Sequence, residues 1–486
     1  MARVRAGASA RPFRFGKNAL MCGVALALAV APIAQASAET LMEALAQAYD
    51  NNPNLKAARA QLRATDEGVA IAVSGWRPSL TVNGSIIRQN SMSFNPGVVA
   101  GPTTSAFALG TVYRTAEQVQ AQITQPVFRG LKTVAGTSAA KNQVQAQRAR
   151  LEQTEATVML QVATAYFDVV QFTAVVELQR SNVQVLSRNL EATNDRFRVG
   201  EITRTDVAQS QASLEAAKAA LVQGEGDLRR ARAAYENVVG KPPEALVSPS
   251  LPEKLPKTLN EAVEVAINDN PNYVASDFSA RAQKDNIKVV EGDLLPQANL
   301  IGQYSKTWNT TIPGAETRIW AGGAQVSVPL YQQGAEWARL RQAKDVYGQF
   351  MLLADQARLD ARTSAVTSFE SLSAQTASLS SIASAISANE ISLEGVQREA
   401  EVGSRTVLDV LNAEQALLNS RVTLVRTQHD QLVASFQLLA SMGKLSAGDL
   451  GLGVKLYDPA HHYDDVRGQW IGTNSETAAD LANRRR

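Results

Sequence analysis

Cysteine is almost absent from this sequence: 486 residues contain one, Cys22. A lone thiol closes no intrachain disulfide, and its place in an apolar N-terminal stretch suits neither a nucleophile nor a metal ligand. An excess of charge of either sign is missing too. With 48 basic and 46 acidic side chains, the chain has no broad cationic face with which to hold nucleic acid. Histidine is scarce, and the pair His461-His462 with distant His429 lacks the Cys or carboxylate spacing that would complete a metal site. No Ser-His-Asp, Cys-His or phosphate-loop constellation appears, so an enzyme is not expected. After residue 38 no apolar run reaches the roughly 20 residues of a membrane helix.

What is present begins with a leader. Arg3, Arg5, Arg11, Arg14 and Lys17 precede an apolar core from Ala19 to Ala31, and Ala36-Ser37-Ala38 forms an A-x-A cleavage site. Residues 1–38 therefore read as a secretory signal peptide. No cysteine follows the cleavage site, so an acylated N-terminus is not expected. An exported chain without a spanning helix is either soluble beyond the inner membrane or crosses an outer membrane as a β-barrel.

The remainder is written twice. Thr40-Leu41-x-Glu43-Ala44 returns as Thr258-Leu259-x-Glu261-Ala262, and Asn52-Pro53-Asn54 as Asn270-Pro271-Asn272, both 218 residues on. Further along, Val199-Gly200, Thr203 and Asp206 return as Val402-Gly403, Thr406 and Asp409, 203 residues on. An internal duplication accounts for both series. The expected division is a first repeat over 39–257, a second over 258–460, and a flexible tail over 461–486. Each repeat starts with helix: Thr40 and Glu43 have capping-box spacing, and Pro53 breaks the run.

After Pro78 and Pro296 the periodicity becomes two. Leu80, Val82, Gly84 and Ile86 alternate with Thr81, Asn83 and Ser85, then Val119, Ala121 and Ile123 with Gln118, Gln120, Gln122 and Thr124. The second repeat offers Leu300, Gly302, Tyr304 and Trp308, then Trp320, Ala324, Val326 and Val328. One hairpin per repeat fits an ordinary four-stranded sheet with one wet face. It also fits a membrane barrel, because the polar face is nearly uncharged and Tyr304, Trp308 and Trp320 suit an interface. Four strands close no barrel, so that reading requires strands from other copies. Next come long helical patterns. Val162, Val169, Val176, Val183, Leu190 and Phe197 form a heptad seam within about 131–198, a rod of about 100 Å at helix rise. The second copy, about 334–400, keeps Leu372, Leu379, Ile386 and Leu393 but fills the rest with Ser, Ala, Gln and Asn.

The turns that join these rods to their return helices carry the candidate chemistry. Thr203/Asp206 and Thr406/Asp409 have the spacing of a helix N-terminus, where an acid at the third position meets free amides, and capping alone accounts for both aspartates. With Val402-Gly403-Ser404-Arg405-Thr406-Val407-Leu408-Asp409-Val410-Leu411-Asn412-Ala413, the Phe197–Val207 turn, the Asn-Pro-Asn segments and Gln125-Pro126-Val127-Phe128 beside Val328-Pro329-Leu330-Tyr331, the chain resembles the TolC family of outer-membrane efflux and secretion channels. The resemblance covers essentially the whole chain after the leader. It implies an α+β membrane protein: a homotrimer giving four strands per chain to one twelve-stranded outer-membrane β-barrel in outer-membrane lipid. A long periplasmic α-helical coiled-coil barrel would continue it.

It implies as partners a periplasmic adaptor (membrane fusion) protein and an inner-membrane pump or ABC transporter, with no nucleic acid, no cofactor and no catalysis. The function implied is a passive, gated exit duct of a tripartite efflux pump or type I secretion system in a Gram-negative bacterium. By the same resemblance Arg405, with Thr205 and Asp206 as acceptors, ties the periplasmic entrance. Asp409 and the next ring position, Asn412, form the constriction, and the turns at Val199-Gly200 and Val402-Gly403 receive the adaptor. Two departures stand out: Asn412 replaces an aspartate, and Ala400 replaces the family's gate tyrosine. The competing class is an exported trimeric coiled-coil structural or adhesin-like protein, which explains the heptads but not the hairpins.

Overall fold

The computed structural model describes residues 39–92, 111–252, 254–310 and 314–473. The leader, the tip of the first hairpin and the terminal arginines lie outside them.

Each half starts with a pair of short helices. In the first, α1 (Leu41–Asn51) and α2 (Pro53–Val73) meet at Asn52, which caps α2 by accepting from the amides of Asn54 and Leu55. Its Nδ2 also donates to the Val238 carbonyl at 3.2 Å, tying the pair to the end of a return helix. In the second half, α5 (Leu259–Asp269) and α6 (Pro271–Glu291) meet at Asn270, which repeats the cap and donates to the Ser441 carbonyl at 2.8 Å. The Asn-Pro repeat is thus a rivet: one side chain starts a helix and satisfies the frayed carbonyl of another. Thr40 and Glu43 form the full capping box expected at α1.

The strands β1 (Ser79–Met92), β2 (Thr111–Arg129), β3 (Gln297–Trp308) and β4 (Glu316–Ser327) form one antiparallel sheet in the order 1-2-3-4. β2 runs further than its alternating pattern suggests, through Pro126. Proline has no amide to give to the ladder, and the register shifts between Pro126 and Phe128. The pairing places Leu80 opposite Ile123, Val82 opposite Ala121 and Tyr304 opposite Trp320 on one face. The Tyr304 and Trp320 ring centres lie 4.4 Å apart, with the rings tilted 42° to one another. On the other face Gln118, Gln120, Gln122 and Thr124 bond in series along β2, a row of amides suited to water. The outer edges of β1 and β4 pair with no strand among the described residues.

The rods α3 (Lys132–Arg198) and α7 (Ala335–Glu401) are each 67 residues long, and return as α4 (Arg204–Val239) and α8 (Val407–Ser441). The core lies around the middle of α3. There Tyr166, Phe167, Val158 and Val162 are buried with Leu45, Leu55, Leu62, Tyr235 and Leu438, each such side chain contributing on the order of 1.5–3 kcal/mol. The Tyr166 hydroxyl donates toward the Glu39 and Val247 carbonyls, joining the chain's first described residue to the link between the halves. α7 buries only Ala343, Ala354, Ala357, Ala361 and Ala365 within the chain.

The C-terminal segment departs from expectation. Residues 461–486 read as a flexible tail, but after α9 (Ala447–Leu450) the chain forms α10 (His461–Val466) against α2, with Val466 buried. The helix is held by single contacts rather than an apolar stripe, which is why periodicity did not reveal it.

Candidate functional site

At the first tip α3 ends at Arg198 and the chain reverses through Gly200, whose φ of 78° is a left-handed conformation that favours glycine. The Gly200 amide donates to the Phe197 carbonyl and the Glu201 amide to the Arg196 carbonyl, both at 3.0 Å. This double closure satisfies the helix end. Thr203 then caps α4 in a full capping box with Asp206, whose Oδ2 accepts from the Thr203 amide at 3.0 Å and hydroxyl at 2.7 Å. The second tip repeats the construction: Gly403 has φ 77°, its amide donates to the Ala400 carbonyl, and Ser404 donates to the Glu399 carbonyl. Thr406 and Asp409 make the second box, with Asp409 Oδ2 accepting at 3.0 and 2.8 Å. Val199 and Val402 project from the two turns, 79% and 81% exposed.

Same geometry, different chemistry. The amide and hydroxyl of Thr406 hold the Asp409 carboxyl below its ordinary range, with a smaller pull from Arg405. Arg405 Nε donates to Glu399 Oε2 at 2.8 Å, both side chains half exposed, and this partner raises the guanidinium further above its ordinary value. Among the described residues Arg405 makes no bond to Thr205 or Asp206, which belong to the other tip. Thr205 is exposed on the first turn of α4, and Asn412 is exposed one turn past Asp409.

Behind the tips the two coiled coils meet through Leu186, Leu214, Ala217 and Leu411, with Val183, Leu190 and Val407 packed against them. Between them a polar cavity of about 550 Å³ is lined by Asn182, Gln209, Leu411, Asn412 and Glu414, among others. Glu414 is buried, and both its oxygens accept from Asn189 Nδ2, at 2.8 and 3.0 Å. Burial raises this carboxyl, partly offset by the Asn189 bond. Sequence reading missed Glu414, although an acid between Leu411 and Leu417 on the buried row of α8 was a visible signal. It also missed Glu399, which only the reversal of the chain brings to Arg405, and His429, whose Nε2 lies 2.9 Å from Asp168 of α3.

A four-stranded sheet with one apolar and one amide-lined face, open at both edges, above paired 67-residue rods defines a class. It is the fold of trimeric outer-membrane channels, in which each chain gives four strands to the barrel and its helices to a periplasmic duct. The family model for outer membrane efflux proteins matches residues 44–241 and 262–444, and the chain belongs to that family, the TolC family of channels.

It is 35% identical to the outer membrane efflux protein BepC of Brucella suis biovar 1 (strain 1330) over 95% of this chain and 97% of that protein. It is 24% identical to the outer membrane protein TolC of Escherichia coli (strain K12), over 85% and 84%. Among solved structures it is similar to the Campylobacter jejuni CmeC outer membrane channel. The TM-score is 0.72 at 14% identity, covering 88% of this chain and 89% of that one. The chain is an outer-membrane exit duct, seated in the outer membrane and periplasm of a Gram-negative cell.

Proposed function

We infer that the two tips form the duct's releasable entrance. The observation that carries this is their divergence: Asp206 and Asp409 occupy the same capping geometry, but where the second tip has Arg405 paired with Glu399 the first has Ile202 and Arg196. In a ring of alternating tips, Arg405 exchanges the Glu399 of its own turn for Thr205 and Asp206 of a neighbouring coil. Exposed pairs of this kind are weak singly, so a docking partner can release them together. Asp409 and Asn412 then set the constriction with one carboxylate per chain, and the conduit does no chemistry of its own.

The docking partner is a periplasmic adaptor that grips the turns at Val199-Gly200 and Val402-Gly403 and connects the duct to an inner-membrane pump or ABC transporter. Supporting this are the exposure of both valines and the efflux role printed for the relative BepC. Photocrosslinkers placed at Val199 and Val402 in cells should capture one periplasmic protein and, through it, an inner-membrane transporter. Crosslinks confined to other copies of this chain would contradict the assignment.

A further inference from the structure

The 3₁₀ turn Ser74–Trp76 ends where β1 begins, at the periplasmic rim of the sheet, and is fixed there by Gln125 Nε2 donating to the Trp76 carbonyl at 2.9 Å. Onto this rim the segment after α10 returns. Arg77 donates from a terminal nitrogen to the Gln469 carbonyl at 2.6 Å, and its guanidinium lies 4.8 Å from the centre of the Trp470 ring. α10 is itself seated on α2 by buried Val466, and His462 Nε2 stands 3.8 Å from Glu67 Oε1.

The segment is therefore held in place, yet its most apolar side chains are turned outward: Trp470 is 66% and Ile471 92% exposed, beside Trp76 at 41%. An exposed Trp-Ile pair backed by an arginine is the chemistry of a membrane interface, where indole sits at headgroup level and a cation meets phosphate. Arg77, which holds the segment, precedes the first residue of β1 by two positions, and Leu80 of that strand is 70% exposed.

We propose that residues 469–471 form an interfacial anchor in which Trp470 and Ile471 enter the periplasm-facing leaflet of the outer membrane and Arg77 binds a phospholipid phosphate. The anchor fixes the height of the barrel and joins the C-terminal segment to the bilayer.

This rests on the barrel lying in a membrane, so the test carries a barrel control. In the full-length protein with Cys22→Ser, nitroxide labels go on Ile471→Cys, on Val82→Cys in the barrel and on Asp465→Cys of exposed α10. The trimers are placed in phosphatidylethanolamine–phosphatidylglycerol vesicles and probed with oxygen and with a water-soluble nickel chelate. The expected result is an oxygen-to-nickel accessibility ratio at 471 several-fold above that at 465 and below that at 82. Adding Arg77→Ala should lower the ratio at 471 while heat-resistant trimers persist. A ratio at 471 equal to that at 465, with 82 in lipid, overturns the anchor alone. Low accessibility to both probes at 471 means a second copy covers it, and overturns it too. An aqueous signature at 82 overturns the membrane reading with it.

Discussion

Arg405 shows how a residue is readable in one respect and hidden in another. Its position beside a capping threonine was legible, but its partner Glu399 precedes it by six residues across a reversal and becomes a neighbour only through the left-handed Gly403. Asp409 poses the sharper question, since capping and a charged ring call for the same side chain. Asp409→Asn separates them, because an amide oxygen still accepts from the Thr406 amide while the charge is lost. Block of the channel by a trivalent cation, read as bilayer current, should disappear in Asp409→Asn and persist in the wild type to below the ordinary carboxylate range, because the cap lowers this pKa. Block that survives the substitution would leave Asp409 a cap and nothing more.

Glu414 makes the opposite prediction. A carboxyl raised in the folded state favours folding fully below its unfolded value, about 4.3, and that contribution is lost as pH rises through the folded pKa. Contact between the coils should loosen upward from that point. Glu414→Gln, which still accepts from Asn189, should flatten the dependence in thermal melts across about pH 4 to 8.

Among the elements, those set by local chemistry were the legible ones. Capping pairs at Thr40, Thr203 and Thr406 start helices, and Asn52 and Asn270 restart them after a break. The heptad seam of α3 matches its burial in the middle, where Val162, Val169 and Val176 are enclosed, but Phe197 near the tip is 42% exposed. Elements that depend on distant contacts were not legible. The shift at Pro126 requires β3 as partner, and α10 requires α2. The rivets give an element-scale test. Asn270→Ala removes a cap and leaves the Ser441 carbonyl without its donor, which should cost about 2 kcal/mol. The heat dissociation temperature of the trimer on gels should fall, while Asn272→Ala, outside the rivet, should leave it near the wild-type value.

For the whole molecule, the single chain is visibly a third of something. Two sheet edges stay open, and α7 buries little beyond alanines. An unpaired edge of this length invites another strand. The trimer closes the barrel by joining β4 of one chain to β1 of the next, and places six tips in a ring. From that ring follows the central claim, an entrance held by links between tips of opposite chemistry. Single-channel conductance in planar bilayers tests it most directly, with wild-type trimer compared with Arg405→Ala and Asp206→Ala. The predicted result is a low wild-type conductance that rises several-fold in each variant; conductance unchanged in both would contradict the account.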